Sequence, residues 1–173
     1  INSYLLGERR PMNDLMAWNA DATRMPFRMH SEYLRKLYLN NELSEGHFKV
    51  DGKPIALMDV KAPIFAVGAT GDHVAPWSSV YKLNLDTDTD VTVVLTSGGH
   101  NAGIVNPPAS TKHHYQMATK PENAKYVSPS RWVETAACHD GSWWPAWENW
   151  LSDHSGAKTA PPPIGGAEGQ FPA

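Results

Sequence analysis

A single cysteine, no long apolar run and no excess of positive charge set the first limits on this 173-residue chain. With Cys138 alone, no internal disulfide framework can form, and the composition fits a reducing compartment such as the cytoplasm. No stretch of about 18 apolar residues occurs, which excludes a transmembrane helix. Lys and Arg number 15 against 18 Asp and Glu, a formal net charge of -3, so no basic field is available to attract nucleic acid. There is no signal peptide, and the chain opens Ile1-Asn2-Ser3-Tyr4 without an initiator Met, so a piece of a longer protein is expected. Neither Gly-x-Ser-x-Gly nor Gly-x-Cys-x-Gly occurs anywhere, so no nucleophile is mounted on a sharp strand-to-helix elbow.

What is present suffices for a packed core: 41% apolar residues, with seven Trp. Residues 1–45 are rich in helix formers and aromatics. Tyr33, Leu34, Leu37 and Tyr38 recur at i, i+1, i+4 and i+5, predicting one face of an amphipathic helix. Asn19 or Asp21 is suited to cap a short helix before Pro26. Asp51-Gly52, set between Phe48-Lys49-Val50 and Pro54-Ile55-Ala56-Leu57, predicts a hairpin. The apolar run 62–68 reads as a strand buried on both faces, and Val91-Thr92-Val93-Val94-Leu95 as the next one. Roughly two dozen residues separate them, enough for the crossover of a right-handed βαβ unit, with Pro76 opening a helix through Trp77 to Leu83. After Asn106-Pro107-Pro108 a polar stretch rich in Lys, His and Ser is expected to be irregular to about Ser130. Pro145 then starts a helix that puts Trp147, Trp150 and Leu151 on one face. From Gly156 onward, Pro161-Pro162-Pro163 and Gly165-Gly166 have the composition of a flexible tail.

Two loops carry the chemistry. Gly71-Asp72-His73-Val74-Ala75-Pro76-Trp77 and Ser97-Gly98-Gly99-His100-Asn101-Ala102-Gly103 each follow a predicted strand, which sets Asp72 and His100 at neighbouring strand ends, where α/β proteins build their sites. A histidine takes a proton from a nucleophile only if its other ring nitrogen is held in the right tautomer, and a buried carboxylate does this. Asp72 and His100 have the types and the order of the acid and histidine that close such a triad. Asp-His neighbours and Gly-Gly-His turns also serve as plain loop chemistry, so the pattern by itself leaves both readings open.

No nucleophile stands out. Ser97 lies three residues before His100 on the same loop and reads as a turn residue. Cys138 follows the histidine and lacks flanking glycines, and a reactive thiol needs a positive, partly exposed setting. His113 and His114 are adjacent and diverge in regular structure, while His139 and His154 lack the spacing of zinc ligands, so no metal site is expected.

The segments Trp18-Asn19-Ala20-Asp21-Ala22-Thr23-Arg24-Met25-Pro26, His30, Tyr33-Leu34-Arg35 and Tyr38-Leu39-Asn40-Asn41 resemble the polyhydroxyalkanoate synthases, the polyester polymerases of bacterial storage granules. So do the Asp72 loop, the His100 loop continued through Ile104-Val105-Asn106-Pro107-Pro108, and Gly141-Ser142-Trp143-Trp144-Pro145. The resemblance covers residues 2 to 152. It implies an α/β-hydrolase-like fold, of which this chain would be a C-terminal fragment: a helical cap or lid over 1–45, the last parallel strands of the catalytic domain over 46–155, and a Pro/Gly-rich tail over 156–173. It implies an acyltransferase that polymerises 3-hydroxyacyl-CoA with release of CoA, needs no cofactor, and attacks through a cysteine upstream of this chain, so the fragment alone is expected to be inactive. His100 would be the general base. Asp72 would either orient His100 or help activate the 3-hydroxyl of the incoming monomer, and His73, next to the acid, reads either as a hydrogen-bond partner behind it or as a solvent-facing loop histidine. The expected partners are the acyl-CoA, the growing polyester, a second copy in a homodimer and the granule surface; no substrate-binding residue is singled out. An ester hydrolase or depolymerase with a serine nucleophile, and a non-catalytic interaction module, are the alternatives. Trp143, Trp144, Trp147 and Trp150 read as packing residues before a substrate platform.

Overall fold

The structure, a computed structural model, describes residues 5–7, 11–109 and 111–161. The chain divides into two compact units, Ile1–Ala56 and Leu57–Ala173.

In the first unit, α1 (Asp14–Ala20) is capped by Asn13, whose side chain accepts the Met16 N–H at 2.8 Å. Asn19 and Asp21, expected as N-caps, instead lie inside α1 and at its C-terminal end. The cap falls to Asn13 because the helix starts earlier than Pro26 suggested. Helix α2 (Phe27–Tyr33) runs directly into a π-helix at Leu34–Leu39. The wider i to i+5 turn brings the Tyr33 and Tyr38 hydroxyls to 3.0 Å, a pairing that 3.6-residue periodicity does not produce. The predicted hairpin forms, with β1 (Lys49–Val50) paired to β2 (Lys53–Pro54) and positive φ at both Asp51 and Gly52. None of the described residues up to Ala56 is buried, and Trp18, Phe27, Tyr38 and Leu39 are among the apolar side chains left in the open.

The second unit is built on a four-stranded sheet of order β3-β4-β5-β6. Strand β3 (Ile64–Ala69) is parallel to β4 (Val91–Thr96), pairing Ile64 with Val91 through Ala69 with Thr96. The crossover carries two short helices, α3 (Trp77–Val80) and α4 (Leu83–Asp86), where a single helix was expected. Every residue of β4 is buried, as its run of β-branched residues requires of a central strand. Its two faces feed two cores. Val91, Val93 and Leu95 pack with Tyr81 and Trp132, and Val94 packs with Tyr115 and Trp143.

Two strands depart from the sequence expectation. The polar stretch after Pro108 contains β5 (His114–Lys120), antiparallel to β4, and β6 (Ala137–Asp140) follows antiparallel to β5. Only one of the three strand pairs in this sheet is therefore parallel. Strand β5 has Tyr115 buried and its other residues half-covered or exposed, and all of β6 is exposed, so neither shows the apolar run of a buried strand. Helix α5 (Pro129–Thr135) lies between them, and α6 (Trp144–Asp153) begins at Trp144 with Pro145 in its first turn. The class is mixed α/β. Residues 156–161 carry no regular structure, and the rest of the expected tail lies outside the described residues. Among the described residues no helix is long and apolar enough to cross a membrane.

Candidate active site

The parallel pairing of β3 and β4 determines where the two loops leave the sheet. Both strands end at the same level, since Ala69 is paired with Thr96. The ladder continues one step beyond, with Thr70 N–H donating to the Thr96 carbonyl at 2.9 Å and Gly71 N–H to the Gly98 carbonyl at 2.8 Å. This close approach needs glycine on both sides. A Cβ on residue 71 would stand 2.9 Å from the Gly98 carbonyl oxygen, and Gly98 itself adopts φ +111° with Gly103 backbone atoms 3.0 Å from where its Cβ would be.

Asp72 and His100 meet just past this junction. Asp72 Oδ1 accepts the backbone N–H groups of Val74 at 2.9 Å and Ala75 at 2.8 Å, while Oδ2 faces His100 Nδ1 at 2.9 Å. The Asp72 side chain is only 7% exposed and that of His100 is 45% exposed. The Ala75 N–H, followed by the His100 ring, holds the Asp72 carboxyl below its ordinary value of 3.8. At neutral pH Asp72 is therefore ionised and can only accept, so the proton of this bond sits on His100 Nδ1. Nε2 lies on the other side of a ring that is partly open to solvent.

Other candidates fall into place around the pair. Of the two readings of His73, the structure has the solvent-facing one: it is exposed, and its side chain makes no hydrogen bond among the described residues. The reason is local: both carboxylate oxygens of Asp72 are already engaged by two amides and His100. Ser97 is a turn residue. Its hydroxyl accepts the His114 N–H at 3.1 Å and lies 3.3 Å from His113 Nδ1, which ties the root of the His100 loop to β5. Cys138 is exposed on β6, opposite Gln116, two strands and so roughly 10 Å across the sheet from β4. No hydrogen bond joins it to the pair. His139 stacks on Tyr115 with ring centroids 4.9 Å apart, and His154 stacks on Trp150 at 4.2 Å. Trp143 packs in the core as expected, but both it and Trp144 also donate their indole N–H groups to carbonyls of the His100 loop. Nothing in the sequence pattern pointed to that second role.

Asp72 and His100 thus form a carboxylate-held histidine at the ends of two parallel strands, and the chain that carries them is similar to known sequences over most of its length. The chain is 40% identical over 166 residues to poly(3-hydroxyalkanoate) polymerase subunit PhaC of Rhizobium etli, covering 96% of this chain and 26% of that protein. It is 42% identical over 151 residues to the PhaC subunit of Rhizobium meliloti, covering 87% and 24%. The PhaC subunit of Cupriavidus necator is 38% identical over 164 residues, covering 94% and 27%. By sequence the chain is related to the poly(3-hydroxyalkanoate) polymerases. It spans about a quarter of the length of these curated relatives. No protein-family model matches it.

Proposed function

We propose that this chain is the part of a poly(3-hydroxyalkanoate) polymerase that supplies the acid and the base of its active site. The observation that carries the reading is the 2.9 Å bond between Asp72 Oδ2 and His100 Nδ1 at adjacent strand ends. The relatives' shared name supports the reaction class. In this reading the sheet is the C-terminal part of an α/β-hydrolase-like domain, and residues 1–45 are its cap. The cap's exposed Trp18, Phe27, Tyr38 and Leu39 suit it to a second copy or to the apolar granule surface. The substrate is a 3-hydroxyacyl-CoA, and no cofactor takes part.

The chemistry follows from the proton inventory. A cysteine thiol from the preceding part of the polymerase donates its proton to His100 Nε2, and the thiolate attacks the thioester carbonyl. The imidazolium formed is stabilised by Asp72, which stays ionised. CoA leaves as its thiolate and recovers the proton from His100, and the acyl group remains on the cysteine. The 3-hydroxyl of a second monomer or chain then loses its proton to His100 as its oxygen attacks the acyl carbonyl, forming the ester and freeing the cysteine. Because both Asp72 oxygens are engaged by Val74, Ala75 and His100, orienting His100 is the role the geometry favours for Asp72 over direct contact with the hydroxyl.

Measured with 3-hydroxybutyryl-CoA, a longer polymerase containing this segment should release CoA and form polyester, whereas residues 1–173 alone should release none. CoA release by residues 1–173 that Cys138→Ala abolishes would move the nucleophile into this chain and overturn the reading.

A further inference from the structure

Between Ser97 and Asn106 the chain has left β4 and has not yet entered β5, so the position of His100 depends on how the two ends of this loop are held. The near end is fixed by the Gly71 N–H to Gly98 carbonyl bond and by the Ser97 hydroxyl, which accepts the His114 N–H of β5. The far end meets three consecutive side chains from almost 40 residues further along. The Ser142 hydroxyl donates to the Asn106 carbonyl, Trp143 Nε1 donates to the Gly103 carbonyl at 3.2 Å, and Trp144 Nε1 donates to the Ile104 carbonyl at 3.0 Å. Ser142 in turn accepts the Trp144 backbone N–H at 3.1 Å. Gly103 and Asn106 are buried, where a carbonyl without a donor is costly.

These donors are themselves anchored. Trp143 is 6% exposed, stacks against Phe65 of β3 with centroids 6.3 Å apart, and belongs to the core formed with Val94 and Tyr115. Gly141, at φ +88°, turns the chain out of β6 so that this triplet arrives beneath the loop. The clamp thus ties the His100 loop to the strand whose end leads into the Asp72 loop. We infer that Ser142, Trp143 and Trp144 are positioning residues that hold His100 in hydrogen-bonding register with Asp72, an inference that rests on the acid and base reading of that pair. Through the bond from Gly103 N–H to the Gly99 carbonyl, at 2.9 Å, displacement of the clamped end reaches the residue next to His100.

The test separates an aimed loop from a merely filled core. Replacing Trp143 and Trp144 together by Phe keeps an aromatic ring at each position and removes the two donors together with the indoles' second rings. With 15N-labelled histidine, the hydrogen-bonded Nδ1 proton of His100 is followed by NMR in a longer polymerase containing this segment. In the wild type it should be resolved. In the Trp143→Phe, Trp144→Phe variant, with the folded amide fingerprint retained, it should be lost or exchange with water at least tenfold faster. Trp147→Phe removes an indole of α6 whose N–H donates to no group among the described residues, and should leave the resonance unchanged. If the double variant does not fold, Trp144→Phe alone, at the less buried of the two positions, is judged by the same criterion. A folded variant with an unchanged resonance and exchange rate overturns the inference. Absence of the resonance from the wild type removes the Asp72–His100 pair itself, and the inference with it, before any tryptophan has been changed.

Discussion

Asp72→Asn separates the two jobs of the Asp72 carboxylate. Oδ1 accepts two backbone N–H groups at 2.8 and 2.9 Å, and an Asn side-chain oxygen can keep both. The amide nitrogen would then take the place of Oδ2, 2.9 Å from His100 Nδ1, and two donors would face each other. The imidazole escapes by moving its proton to Nε2, which leaves Nδ1 to accept from Asn and removes the base from the side of the ring turned away from Asp72. The loop survives and the chemistry does not. Removing the acid of such a pair while preserving geometry lowers kcat by about 10⁴-fold. The assay is CoA release from 3-hydroxybutyryl-CoA by a longer polymerase carrying the substitution, with a thermal melt to show that folding is intact. A kcat within tenfold of wild type in a folded variant would refute the assignment of Asp72 as the residue that sets the tautomer of His100.

Other perturbations test separate steps. Cys138→Ala should leave polymerase activity unchanged, since Cys138 is exposed on β6 and hydrogen-bonds to neither member of the pair; a loss of tenfold or more in CoA release contradicts this. Gly98→Ala forces a side chain into φ +111° and against Gly103, and should cost about 1–3 kcal/mol in urea denaturation while displacing His100. Val94→Ala removes two methyl groups from a residue with no exposed surface and should cost about 2 kcal/mol by the same measurement. Asp72 has a folded value depressed below 3.8, so its contribution to stability is fully present above the unfolded carboxylate value and is lost as pH falls through the lower folded one. An acid titration of the His100 Nδ1 resonance should therefore show it still present at pH 3.8. Its disappearance at higher pH would be inconsistent with an ionised Asp72 partner.

The legible parts of the fold are those whose physics is local. Strand β4 announces itself because a strand buried on both faces has to be apolar throughout, and Asp51-Gly52 because only such a pair accepts positive φ at both turn positions. Asp72 and His100 are legible for the same reason: each sits a few residues past a recognisable strand, and parallel pairing makes the strand ends neighbours. Strand β5 was hidden by His114, Gln116 and Lys120, which an antiparallel strand near the sheet edge can carry and a buried one cannot. The π-helix at Leu34–Leu39 was hidden because the same residues fit a 3.6-residue period nearly as well. The clamp at Ser142, Trp143 and Trp144 depends on carbonyls almost 40 residues away, and composition gives no sign of which indole will find one.

The most direct test of the account is to find where the acyl group goes. A longer polymerase containing this segment, exposed briefly to 3-hydroxybutyryl-CoA and digested for mass spectrometry, should carry the acyl group on a cysteine outside residues 1–173. His100→Ala should abolish that labelling. An acyl group on Cys138 or on a serine of this chain, or acylation that survives His100→Ala undiminished, would contradict the assignment of this segment as the acid and base half of the site.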